Sequence, residues 1–325
     1  MQTYSAKAVS HPNIAFIKYW GNADPILRLP ANGSISMNLS GLETVTSVTF
    51  TPDLSVDQLT INGEQTTGAP FERVERFLKI VRSMAGTDMK AMVVSENNFP
   101  TGAGIASSAS AFSALSLAAS AALGLDLSLK DLSRLARRGS GSACRSIPDG
   151  FTEWYASSGD EDSFAESIAP PSYWQLTDCI AIVETGHKPV GSTEGHQLAA
   201  TSPFQAARVA SATCRLDTCR KALLDKDFPA LAEIVEVDSD MMHAVMMTSK
   251  PPLFYWEPAS LTIMKAVRQW RRLGLQACYT LDAGANVHVI CAPGFADETA
   301  SLLMNLPGVT DVLRAEPAPG ARLLS

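Results

Sequence analysis

The sequence predicts an α+β fold in two parts, and three observations carry that expectation. Residues 44–51 (TVTSVTFT) alternate with the period of two that a half-buried strand requires. Residues 71–84 set Val74, Phe77, Leu78 and Val81 on one face of a helix. Near Asp178 an acidic, loop-like stretch gives way to the strand-like CIAIVE of residues 179–184, and beyond it strands interleave with paired helices. A chain of 325 residues accommodates one large or two medium domains. The expected division is residues 1–178 and 179–325.

The elements follow in order. Residues 3–10 read as a first strand. Residues 11–22 mix apolar side chains with Asn13, Lys18 and Tyr19 between Pro12 and Gly21, the composition of a segment that lines something. Residues 23–31 are a turn-rich loop, and residues 34–39 alternate. Residues 57–61 run into Asn62-Gly63, a strong hairpin signal. A strand over 91–95 leads to a glycine-rich turn. An Ala/Ser helix from about 105 to 123 follows, stopped by Gly124. Ser128, three residues before Asp131, opens a helix to Arg138 that Gly139 closes. The loop over 139–146 (GSGSACRS) is expected to open a third helix toward Tyr155, with an acidic loop over 159–171. After the 179–184 strand come a polar loop (185–200) and helices over 204–224, 228–247 and 258–273. Strands over 276–281 and 286–291 flank Asp282-Ala283-Gly284-Ala285. A helix over 297–306 and a last strand over 309–313 complete the chain.

Composition narrows the function classes. With 46% hydrophobic and 18% charged residues the chain is an ordinary globular protein, and its net charge of -7 argues against nonspecific nucleic-acid binding. An anion site must therefore be local. The six cysteines form no C-x-x-C pair and the first residues lack the apolar core of a signal peptide, so a reducing, cytoplasmic setting is expected. The uncharged run from 101 to 125 carries six serines and is rich in alanine, too weakly apolar for a membrane span. The five histidines make no H-E-x-x-H pattern, so no zinc is expected.

Several stretches carry possible chemistry. In Pro100-Thr101-Gly102-Ala103-Gly104-Ile105-Ala106-Ser107-Ser108, glycines free the backbone to turn N–H groups inward, and the helix start adds unpaired donors and a positive dipole end. Ser107 and Ser108 can add hydroxyls to phosphate oxygens or to phosphate-bound magnesium. The other reading is a tight turn before a closely packed helix, and the loop alone leaves both open. It is neither a Walker A loop nor G-x-G-x-x-G. Asp282 is either a capping residue in a tight turn or a carboxylate that takes a hydroxyl proton. Arg145 is either half of a surface ion pair, worth under ~1 kcal/mol, or a planar fork for a carboxylate. Lys18 is either a snorkelling surface lysine or a lining cation.

Taken together, N-I-A-F-I-K-Y-W-G (13–21), the P-x-x-x-G-I-A-S-S-A loop, G-S-G-S-A-C-R-S (139–146) and D-A-G-A-N-V-H (282–288) resemble the diphosphomevalonate decarboxylases of the GHMP kinase superfamily, in order and over almost the whole chain. The resemblance implies a GHMP kinase fold: an N-terminal domain like ribosomal protein S5, a ferredoxin-like C-terminal domain, and the active cleft between. It implies ATP and magnesium as cofactors, phosphorylation of the tertiary 3-hydroxyl of a phosphorylated mevalonate, then loss of phosphate and carbon dioxide. Carried over by motif, Asp282 is the catalytic carboxylate, Arg145 meets the substrate carboxylate, and Lys18 lines the site. Asn13, Tyr19, Ser140, Ser142 and Ser192 bind substrate. Pro100, Gly102, Gly104, Ala106, Ser107 and Ser108 hold the nucleotide, with Ser108 toward the metal. Family members are commonly homodimers, and neither nucleic acid nor membrane is an expected partner.

The sequence also departs from the family. K-Y-W-G-K ends here in Asn22, and K-x-x-S-S-x-x-G-M reads Lys188-Pro189-Val190-Gly191-Ser192-Thr193-Glu194-Gly195-His196, with Gly191 for a serine and His196 for the methionine. Ala285 replaces the proline of D-A-G-P-N. The loss of a cation and a hydroxyl leads to the expectation of mevalonate 5-phosphate as substrate, giving isopentenyl phosphate, with mevalonate 5-diphosphate as the alternative. A mevalonate 3-kinase type of GHMP kinase and a non-catalytic binding protein of the same fold are the rival classes. Retention of both Asp282 and Arg145 argues against the first, and the intact glycine loop against the second.

Overall fold

The computed structural model describes residues 2–99, 107–184 and 191–325. In the first half, strands run in the order Arg322–Leu324, Tyr4–Ser10, Thr44–Thr51, Lys90–Asn97, Gln58–Ile61, Glu64–Gln65. All neighbours are antiparallel except Gln58–Ile61 beside Lys90–Asn97. Along Thr44–Thr51 every second residue is buried, so Val48 and Phe50 enter the core while Val45 and Thr49 stay half-exposed. Asn62 and Gly63, both at positive φ (50° and 81°), turn Gln58–Ile61 into its hairpin partner.

Helices Ala69–Ala85, Ser107–Ala122 and Leu129–Gly139 cover this sheet, with Phe77, Phe112, Leu115 and Leu135 in the shared core. The helix Ser107–Ala122 is buried despite its serines because they are satisfied internally. Ser113 Oγ donates to the Ser110 carbonyl at 3.0 Å and Ser116 Oγ to that of Phe112 at 2.5 Å. Its small side chains let neighbours approach closely. A Cβ on Gly139 would stand 2.1 Å from the Phe112 ring, so only glycine fits there.

A second sheet, Ala165–Ala169, Phe151–Trp154, Ser34–Asn38, Asn13–Ile17, lies between the halves. Its last strand is buried along its whole length and shares one core with Leu223, Leu231 and Val235 of helices Ala212–Leu224 and Phe228–Met247. A third sheet, Ala277–Thr280, Val287–Cys291, Thr177–Ile182, Asp311–Ala315, forms the second half with helices Pro258–Arg272 and Ala296–Met304. No helix among the described residues is long and apolar enough to cross a membrane.

Five segments differ from expectation. The third helix toward Tyr155 is a single 3-10 stretch, Gly141–Ser146, because Pro148 and Gly150 (φ 70°) break it and the chain joins the middle sheet as Phe151–Trp154. The acidic loop over 159–171 contains the strand Ala165–Ala169, which pairs with Phe151–Trp154. Within the polar loop over 185–200, Ser192–Leu198 is helical, and residues 185–190 lie outside the described residues. The helix over 204–224 is two, Gln205–Ala210 and Ala212–Leu224, divided at Ser211. Beyond the strand expected to be last, residues 316–324 return to the first half. There Glu316 and Ala318 bond the backbone around Asn38 and Ser40, and Arg322–Leu324 pairs with the first strand.

Candidate active site

The strand Asn13–Ile17 delivers Lys18 to a cleft between the halves, and the second half fixes its backbone. The Lys18 N–H donates to Asp238 Oδ2 at 2.5 Å, and its carbonyl accepts from Arg208 at 2.7 Å and from Asn32 at 2.9 Å. Asp238 also holds Arg215 at 2.6 Å, so the division at Ser211 lets Arg208 and Arg215 converge on one buried carboxylate. The Lys18 Nζ lies 2.6 Å from Asp282 Oδ1. Asp282 follows the strand Ala277–Thr280, and its carbonyl accepts from the Gly284 N–H at 2.8 Å, which makes the tight D-A-G turn. The Lys18 side chain is 1% exposed and that of Asp282 26%, so the carboxylate is the member of the pair that faces the cleft. Burial pushes the Asp282 carboxyl up, but the Lys18 ammonium outweighs it and holds the group below the usual carboxylate range. Asp282 is therefore an ionised acceptor at neutral pH.

Arg145 lies in the last turn of the 3-10 stretch and is buried. Its Nε contacts Asn13 Oδ1 at 3.2 Å and Ser36 Oγ at 3.0 Å, and its terminal nitrogens reach Ser34 Oγ (2.7 Å) and Asn13 Oδ1 (3.0 Å). Every one of these partners is neutral, and among the described residues no carboxylate forms an ion pair with it. Asn13 does not itself line the cleft. It stands behind Arg145, donating to the Ser142 carbonyl and to Ser146 Oγ.

Lys18, Tyr19, Ser107, Ser108, Ser140, Ser142, Arg145, Ser192 and Asp282 line one cleft of about 260 Å³. Ser108 Oγ and Ser140 Oγ are 3.2 Å apart, so the start of the Ala/Ser helix meets the G-S-G-S loop. A Cβ on Gly141 would stand 2.5 Å from the Tyr19 ring, which explains glycine there. The Tyr19 hydroxyl donates to Asn22 Oδ1, and its ring stacks on His196 at 4.1 Å. His196 Nδ1 accepts from the Gly21 N–H at 3.0 Å. Pro100, Gly102, Gly104 and Ala106 lie outside the described residues.

Two cleft residues escaped sequence reasoning. Arg28 sits in the turn of the hairpin Asn22–Asp24 with Leu29–Pro30, and Arg73 projects from the helix Ala69–Ala85. Arg73 donates to the Gly139 carbonyl at 2.9 Å and lies over the Phe112 ring, with burial lowering its guanidinium to about 9. A turn arginine and an arginine on a polar helix face both look like surface residues in sequence. Each has an acidic neighbour in sequence, Asp24 and Glu72, so no signal in the sequence sets them apart.

The two halves and the cationic cleft between them define the GHMP kinase fold. A family model described as the diphosphomevalonate decarboxylase-like N-terminal domain matches residues 10–165, and one described as the mevalonate 5-diphosphate decarboxylase C-terminal domain matches residues 179–316. The chain belongs to the diphosphomevalonate decarboxylase family. It is 39% identical over 319 residues to the diphosphomevalonate decarboxylase of Candida albicans, covering 92% of this chain and 88% of that protein. It is 34% identical over 310 residues to the phosphomevalonate decarboxylase of Haloferax volcanii, covering 94% of each. Among solved structures, mevalonate diphosphate decarboxylase from Enterococcus faecalis superposes with a TM-score of 0.93 at 39% identity over the whole of both chains. A related structure at 40% identity and TM-score 0.94, again over both whole chains, is a complex with MVAPP, AMPPCP and magnesium.

Proposed function

We propose that this chain catalyses the ATP-dependent decarboxylation of mevalonate 5-phosphate to isopentenyl phosphate, with ADP, inorganic phosphate and carbon dioxide as the other products. Asp282 accepts or orients the proton of the tertiary hydroxyl as that oxygen attacks the γ-phosphorus of ATP. Lys18 keeps Asp282 ionised for this task. Arg145 fixes the substrate carboxylate by a planar fork. When the 3-phosphate leaves with the electrons of its C–O bond, the C–C bond to the carboxylate breaks and its electron pair becomes the new double bond. Ser107 and Ser108, hydroxyls at a helix start, suit the nucleotide phosphates and the magnesium bound to them. That ion supplies charge neutralisation at the transferring phosphoryl group.

The observation that carries the general reading is Asp282, paired with Lys18 and facing the same cleft as Arg145, a buried guanidinium with no ion-paired carboxylate among the described residues. The monophosphate rests on position 22, where a neutral amide is engaged by the Tyr19 hydroxyl, and on Gly191, which lines the cleft with no hydroxyl. The diphosphate is the second reading, supported by the higher identity to the Candida albicans relative and by the two further cleft cations, Arg28 and Arg73. Initial rates with both phosphorylated mevalonates test the choice, and a kcat/KM more than about tenfold higher for the diphosphate would overturn the monophosphate. Asp282→Asn is expected to lower kcat by about 10²–10⁴ while nucleotide binding persists. Near-normal turnover would remove Asp282 from the mechanism, and ADP formation without carbon dioxide would move the chain to the kinases.

A further inference from the structure

Among the described residues, Arg28 is the one cleft cation whose side chain makes no hydrogen bond and no ion pair that would give it a structural use. It occupies the left-handed region (φ 52°), which a non-glycine residue adopts at some cost and which clusters at functional sites. The turn itself is well held without the Arg28 side chain. Asp24 Oδ1 accepts from the Ile26 and Leu27 N–H groups at 2.8 Å each, and the Leu27 carbonyl accepts from Arg137 at 3.1 Å. The Arg28 side chain is half-buried and lines the cleft, yet among the described residues its guanidinium makes no hydrogen bond and no ion pair. Arg82, Arg134, Arg137, Arg208 and Arg215, by contrast, each have a carboxylate.

Its surroundings identify what it awaits. Tyr19, Ser140 and Arg73 line the same cleft, with Tyr19 and Arg73 within electrostatic reach of Arg28. Neither Arg28 nor Arg73 has a carboxylate at ion-pair distance among the described residues, and although Arg76, which also acts on both, is paired with Glu72, like charges brought together in this way favour an anion beside them. Asn22, at the start of the same hairpin, has turned its amide to Tyr19 and contributes no charge.

We infer that Arg28 is a specificity-determining residue whose guanidinium takes the distal oxygens of the substrate's 5-phosphate tail, supplying from the hairpin turn the charge that position 22 lacks. This rests on the proposed phosphorylated mevalonate substrate but does not depend on the number of phosphates. The ligand chemistry is a phosphoryl group at the far end of a short carboxylic acid, recognised by a charge-assisted fork.

The test measures binding and turnover separately in wild type, Arg28→Gln, Arg28→Lys and the double variant Asn22→Lys/Arg28→Gln, with thermal melting to confirm folding. Calorimetry with each phosphorylated mevalonate in the absence of nucleotide gives affinity independent of reaction. Arg28→Gln is expected to weaken the preferred substrate about 10- to 100-fold in Kd and KM, leaving kcat and the KM for ATP within about twofold. Arg28→Lys and the double variant are expected to recover part of the loss, because each returns a cation. Unchanged substrate affinity in Arg28→Gln, a rise confined to the KM for ATP, or no recovery in either cationic variant would overturn the inference. A wild type that binds a phosphorylated mevalonate but does not turn it over would refute the proposed function and leave the Arg28 comparison readable. Binding of neither substrate would refute both.

Discussion

Arg137 and Arg145 stand eight residues apart, both buried, and they serve opposite purposes. Arg137 has every nitrogen occupied: it pairs with Asp160, donates to the Ser163 carbonyl, and reaches the Leu27 carbonyl at 3.1 Å. Among the described residues Arg145 hydrogen-bonds only to an amide and serine hydroxyls, and its guanidinium lies 6.0 Å from the Trp154 ring centroid. A carboxylate partner cancels the field of a guanidinium, whereas neutral oxygens fix its orientation and leave its charge to act on whatever enters beside it. The first arrangement makes a tie between elements and the second a binding group. Burial alone does not separate them, but the chemistry of the hydrogen-bond partners does.

That contrast can be broken by exchange of readouts. Arg137→Met should destabilise the fold by about 3 kcal/mol, since it strands the buried Ser163 carbonyl and the part-buried Leu27 carbonyl and removes one partner of Asp160. Urea denaturation would register it, and the remaining folded enzyme should keep its kcat. Arg145→Gln should do the reverse, lowering kcat/KM by about 10²-fold, roughly the 1.5–3 kcal/mol of a hydrogen bond to a charged group, with a small change in melting temperature. If Arg145→Gln proves the more destabilising and Arg137→Met the less active, the distinction drawn from their partners fails.

A smaller effect sharpens the electrostatic side. Asp282 is depressed in the folded protein by Lys18, so its ionised form persists as pH falls to below the ordinary carboxylate value of ~3.9. Catalysis that needs the carboxylate is thus fully present above that range and is lost only below it. In Lys18→Met the largest charge opposing burial is gone and the weaker pull of Arg145 remains, so the acid limb of the kcat/KM profile should move upward. An unmoved limb would mean that another group sets the ionisation.

What sequence made legible follows the same logic. Thr44–Thr51 and Phe228–Met247 were readable because one face of each meets a core and the other meets water or polar contacts, which writes a period into the sequence. Phe151–Trp154 and Ala165–Ala169 were not. They belong to the sheet between the halves, where the four residues of Phe151–Trp154 are all buried and no alternation develops. Lys18, Arg145 and Asp282 were legible through motifs that keep their neighbours in fixed order. Arg28 and Arg73 were not, because their meaning depends on three-dimensional neighbours brought from residues 19 and 139–142.

The Lys18–Asp282 contact joins residues 264 positions apart, one contributed by each half of the chain. The reacting centre is therefore a property of the seam. Neither half can change its packing angle freely over evolutionary time, since a shift that leaves each core intact would still draw the ammonium from the carboxylate. Substitutions at Asp238, Arg208 or Arg215, which anchor the Lys18 backbone from across that seam, belong to the same constraint although none touches the cleft. Exchange of one half between relatives should succeed only when the cluster travels with its lysine.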